Sequence, residues 1–108
     1  MGTNELTRKL EFCAAQCNHC YDACRLENDP NMETCMKNDL DCADVCRLTA
    51  QIIERNSLNI QLFMNFCIEI CTICANECEK HNKDHCQNCA KACRECVEMC
   101  QNEHQNSK

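Results

Sequence analysis

Sixteen cysteines recur at intervals of three and four residues along this 108-residue chain, and that spacing admits few folds. The stretch FCAAQCNHCYDAC, from Phe12 to Cys24, shows it first: Cys13, Cys17, Cys20 and Cys24 share one side of a helix. The others form three more groups: Cys35, Cys42, Cys46; then Cys67, Cys71, Cys74, Cys78; then Cys86, Cys89, Cys93, Cys96, Cys100. With Cys13 at d and Cys17 at a of a heptad, every cysteine falls on a or d within its own helix, the inward seam of a bundle. Punctuation between the groups is sparse. Pro30 suits the first turn of a new helix, Asn56 or Ser57 offers an N-cap for a third, and Asn82 or Asp84 for a fourth. The pattern predicts helices over 5–27, 31–55, 58–81 and 84–104. Long helices joined by short loops pack as an all-α, antiparallel up-down-up-down four-helix bundle, here one domain over 1–108.

An internal repeat supports the same architecture. Adding 54 to the cysteine positions of the first half carries Cys13, Cys17, Cys20 and Cys24 onto Cys67, Cys71, Cys74 and Cys78. It carries Cys35, Cys42 and Cys46 onto Cys89, Cys96 and Cys100, and Phe12 onto Phe66. The chain reads as a duplicated helical hairpin. Cys86 and Cys93 are the two cysteines without a counterpart, and Met32 and Asp39 stand in the corresponding places. Along the seam one end turns apolar, with Leu6, Leu10, Ile53, Ile60 and Met64. The other end collects Cys24, Met32, Cys35, Cys78, His81, His85 and Cys86.

So high a cysteine content in a short chain ordinarily signals a disulfide scaffold. Such scaffolds are rich in loops, whereas this chain has one Gly and one Pro. Its opening, MGTNELTRKL, has no apolar core of a secretory signal. No apolar run is long enough to span a membrane, and a formal net charge of −6 disfavours nucleic acid. The expected compartment is the cytoplasm, where thiols stay reduced. Cysteine also serves as a small buried hydrophobe, yet each Leu replaced by Cys in a seam loses roughly 1–3 kcal/mol of burial and packing. Disulfides between facing helices are feasible at some levels, but a thiol at every half-turn of every helix is a continuous lining rather than a set of pairs.

A metal accounts for the lining better. The C-x2-C pairs alone would indicate zinc or an iron–sulfur cluster, but they interleave with four-residue spacings and no pair stands apart. A four-thiolate zinc site carries two negative charges, which is costly in a dry core. Cu(I) is soft, monovalent and content with two or three thiolates, so one ion per thiolate leaves the axis neutral. The capacity expected is about one Cu(I) per cysteine. No Cys/His/Asp arrangement separates itself from the repeat, so the chain reads as a binding protein and not an enzyme. Thiols packed without metal are expected to stay protonated, with pKa values at or above about 8.5.

With these seams the chain resembles the bacterial copper storage proteins, cysteine-lined four-helix bundles that hold many Cu(I) ions. The resemblance runs through the whole chain and points to the branch without an export signal, which implies cytosolic storage and a homotetramer. It also implies that all sixteen cysteines are ligands, and that His, Met or carboxylate groups assist. The residues so placed are Met32, His81 and His85 at the polar end and Asp39 within the seam. Asp39 reads equally well as a ligand and as a hydrogen-bond partner of thiols. His19 reads as a surface residue, His104 as part of a frayed terminus, and Met36 and Met99 as filler. Helix 3 carries Leu62, Phe66 and Ile73 outside the seam, an apolar stripe expected to bury against another protomer.

Overall fold

The structure, a computed structural model, describes residues 3–106, with side chains from 5 to 103. Four helices account for most of it: α1 (Thr3–Glu27), α2 (Glu33–Glu54), α3 (Ile60–Cys78) and α4 (Asp84–Asn106), with a short 3₁₀ turn at Pro30–Met32 ahead of α2. No strand occurs among the described residues. At 1.5 Å per residue, the 25 residues of α1 extend about 37 Å, most of the 44 Å long axis of the bundle. Each helix packs against its two neighbours in chain order, with α1 closing the ring on α4. That is the up-down-up-down bundle expected from short connections.

The helix ends show how a chain nearly devoid of glycine turns. Asn28 and Asn56 both take positive φ, 55° and 54°, a region that Asn tolerates better than other non-glycine residues. At Asn56 the geometry is a Schellman close: its N–H bonds Ile53 O at 3.0 Å, and the Ser57 N–H bonds Ile52 O at 3.1 Å. Asn56 therefore ends α2 rather than capping α3, contrary to the reading from sequence. Ser57 does not cap α3 either. Its hydroxyl accepts from the Asn59 N–H at 3.0 Å, and α3 starts two residues later than expected, at Ile60. Asp29 accepts from the Asn31 N–H at 3.0 Å and sets Pro30 at the head of the 3₁₀ turn. α4 begins at Asp84 and continues to Asn106, so His104 belongs to the helix, with its side chain outside the described ones.

The seam predicted from spacing is the core that forms. All sixteen cysteines have zero exposure. Leu6, Leu10, Ile53 and Met64 close one end as a buried apolar plug, with Ile60 half-buried beside them. Between plug and sulfur stands buried Thr49, whose hydroxyl donates to Val45 O at 2.7 Å and is thereby satisfied. Buried Ala14, Ala43, Ala50, Ala75 and Ala90 each follow a d position directly. These small flanking side chains let neighbouring helices close on the narrow thiol axis. Thiols fill that axis poorly, so the plug carries a large share of the apolar stabilisation. Leu10→Ala is expected to destabilise the reduced apo protein by about 2–5 kcal/mol in anaerobic denaturant titrations. A loss below about 1 kcal/mol would show that the plug does not hold the bundle.

Candidate metal centre

The sulfur atoms line the bundle axis as a column. From the polar end, Cys24 lies 4.0 Å from Cys20, and Cys20 lies 3.9 Å from Cys86. Cys35 lies 3.5 Å from Cys78. Deeper in, Cys89 is 3.6 Å from Cys17, Cys17 is 3.9 Å from Cys93, and Cys93 is 3.7 Å from Cys42. Cys42 and Cys46 each approach Cys71 to 3.5 Å, and the chain of contacts continues to Cys67 at 3.9 Å and Cys96 at 4.0 Å. A disulfide needs about 2.05 Å, and every cysteine is free. Sets of four sulfurs converge repeatedly, among them Cys13, Cys42, Cys46, Cys71; Cys13, Cys17, Cys42, Cys93; Cys17, Cys74, Cys89, Cys93; and Cys46, Cys67, Cys71, Cys96. Within each set all four lie within 4.8 Å of one another. The inner sets overlap, so a metal in one shares its sulfurs with the next. A chain of bridging thiolates is what this arrangement offers to a soft cation.

Helical periodicity brings these atoms together, and the duplicated hairpin brings them together twice. Where the copies differ, the column changes character. Asp39, fully buried, stands where the second copy has Cys93. Its Oδ1 accepts S–H bonds from Cys74 at 3.5 Å, Cys89 at 3.5 Å and Cys78 at 3.6 Å, while Oδ2 faces Cys35 at 4.0 Å. Asp39 thus forms a collar between the outer thiols and the inner ones. Met32 is buried in the same core. His81 lies beyond α3, which ends at Cys78 rather than at 81, and it pairs with Glu77 at 3.1 Å. His85, in the first turn of α4, places Nε2 3.5 Å from Glu27 Oε1 without a hydrogen bond between them. Both histidines keep some exposure at the polar end, 18% and 12% of their side chains. His19 is exposed. The flanking alanines escaped the sequence reading. Their placement one residue after d was visible, but its meaning depends on how closely the helices approach.

Burial governs the charge states. It is the chief cause that pushes the Cys24 thiol up to about 11 and raises Cys86 as well. Five thiols depart from the expectation that every thiol stays protonated: hydrogen bonds from neighbouring cysteines draw Cys13, Cys35, Cys67, Cys74 and Cys89 below the usual thiol range. Burial, reinforced by Cys89, lifts Asp39 to about 10. At neutral pH the folded protein holds the Asp39 proton, whereas an unfolded chain gives it up above about pH 4. The apo fold therefore keeps its full stability from this group below about pH 4 and loses it progressively as pH rises toward 10. Asp39→Asn retains an acceptor oxygen and removes the titration. It is expected to stabilise the reduced apo protein by roughly 2–5 kcal/mol near neutrality, with the gain shrinking toward pH 4. Anaerobic denaturation across that pH range measures it, and a pH-independent effect would contradict the assignment.

Comparison with known proteins agrees with this geometry. The chain is 38% identical over 89 residues, 82% of each chain, to an uncharacterised cysteine-rich protein of Bacillus subtilis, YhjQ. Among solved structures it is similar to the Cu(I)-bound copper storage protein BsCsp3, with 35% identity and a TM-score of 0.87 over 93% of this chain and 95% of that one. It is similar also to a cytosolic copper storage protein from Streptomyces lividans bearing five coppers, with 32% identity and a TM-score of 0.85 over 93% and 89%. The copper storage protein family profile matches residues 2–105. A sulfur-lined four-helix bundle that matches this family over nearly its whole length belongs to it: the chain is a member of the copper storage protein family.

Proposed function

We propose that this protein is a high-capacity Cu(I) store, a single bundle domain whose sixteen cysteines are the ligands. The observation that carries this reading is the column of free, buried thiols, with sulfur pairs 3.5–4.0 Å apart on both sides of the Asp39 collar. Loading exchanges thiol protons for monovalent cations, so filling the column adds little charge to the axis, and the bundle stiffens as it fills. Met32, Asp39, His81 and His85 are accessory groups, the histidines receiving ions at the polar end and Asp39 handing them past the collar. The role is storage rather than catalysis. Its place is the cytoplasm, in keeping with the cytosolic description of the Streptomyces relative and with the need for reduced thiols. No described helix is long and apolar enough to cross a membrane.

Anaerobic titration of reduced apo protein with Cu(I), in competition with a chromophoric chelator, is expected to saturate near one ion per cysteine and to release about one proton per ion. Saturation at one to four ions would overturn the storage reading.

Oligomerisation belongs to the same proposal. On α3, Leu62, Phe66 and Ile73 are 67%, 48% and 51% exposed, an apolar stripe that a partner protomer would cover in a homotetramer. Sedimentation should show a concentration-dependent assembly, and Phe66→Asp combined with Leu62→Asp should give a monomer with helicity intact. A wild-type monomer at every concentration would refute the interface.

A further inference from the structure

We propose that Cys20, Cys24, Cys35 and Cys86, the four thiols of the polar end, form a tetrahedral site for one divalent ion of the zinc class. Their sulfurs all lie within 4.8 Å of one another. Four thiolates around zinc, with bonds of about 2.3 Å, stand about 3.8 Å apart. The Cys20–Cys24 and Cys20–Cys86 separations of 4.0 Å and 3.9 Å already match those edges. Three helices supply the set, Cys20 and Cys24 from successive turns of α1, Cys35 from α2 and Cys86 from α4. Such a site therefore requires the tertiary fold and no large movement of it.

Position distinguishes this set from those below. The inner sets described above overlap: Cys13 and Cys42 belong to two of them, and so do Cys17 and Cys93, and Cys46 and Cys71. A divalent ion in one would occupy sulfurs that its neighbours need, and would leave two uncompensated negative charges far from water. The polar-end set shares no sulfur with those four sets. It lies beside a cavity of about 450 Å³ lined by Cys24, Arg25, Asn28, Asp29, Glu33 and Met36, which opens to solvent. His81 and His85, both partly exposed, stand at the same end beside Glu77 and Glu27. The four sulfurs take up one M²⁺ as thiolates, and the protons they carry leave through that opening. No redox change is involved.

The consequence is a bundle whose outer site holds a divalent ion while copper is scarce and yields it as Cu(I) arrives. Only that last displacement rests on the storage reading. The test uses the full, reduced, metal-free chain under anaerobic conditions, titrated with cobalt(II) and then zinc(II). One cobalt per chain is expected, with the intense visible bands of a tetrahedral thiolate complex, displaced by one zinc. Cys24→Ser and Cys86→Ser, checked for helicity, should each weaken binding at least tenfold. Cys67→Ser and Cys100→Ser, at the far end of the column, should leave it unchanged. The proposal is overturned by absence of the tetrahedral bands, by equal loss in Cys100→Ser, or by several divalent ions per chain. Full Cu(I) capacity without a cobalt spectrum sinks the outer site alone, whereas failure to take up copper sinks the storage reading.

Discussion

Charge in a dry core is the constraint on which everything else rests. A thiolate buried along the inner part of this axis lies among other sulfurs and apolar side chains, which do not compensate its charge. Each sulfur must therefore carry a proton, accept hydrogen bonds from its neighbours, or bind a cation of unit charge. The upward shifts of Cys24 and Asp39 and the downward shift of Cys35 are three outcomes of that rule. Cu(I) satisfies it along the whole column. A divalent ion fits it best at an end, beside the cavity that opens to solvent.

The bundle must also stay folded before any metal arrives. Thiols are smaller than the leucines that normally fill a heptad seam, so the axis contributes less packing and burial than in an ordinary bundle. Three features offset this. Leu6, Leu10, Ile53 and Met64 concentrate apolar contact at one end. Alanines beside the d positions allow the helices to draw in. Asn28 and Asn56 end their helices in the left-handed region without glycine. The two ends of the molecule are consequently unlike, one lined by hydrocarbon and one by sulfur, histidine and carboxylate.

Divergence between the two halves produced the functional asymmetry. The first half carries Met32 and Asp39 where the second carries Cys86 and Cys93. A carboxyl group thus interrupts the sulfur and gathers S–H bonds from Cys74, Cys78 and Cys89. The outer set with Cys35 and Cys86 is thereby set off from the inner column. A carboxyl held at about 10 in the apo fold is a destabilising element retained in the middle of the core.

Sequence alone was enough for the four helices, the repeat, the inward direction of every cysteine and the identity of the plug, because helical periodicity converts spacing directly into facing. The family followed from the same seams. Helix ends were less legible. Asn56 reads as a cap until the backbone shows it in the left-handed region, and α3 proves shorter at both ends than 58–81. Which sulfurs meet across helices, that Asp39 serves three thiols through one oxygen, and that Cys20, Cys24, Cys35 and Cys86 converge were decided only by the tertiary structure. Spacing along a chain specifies the face of each helix. It leaves open the axial offset and separation of neighbouring helices, and those are set by the packing of side chains from all four.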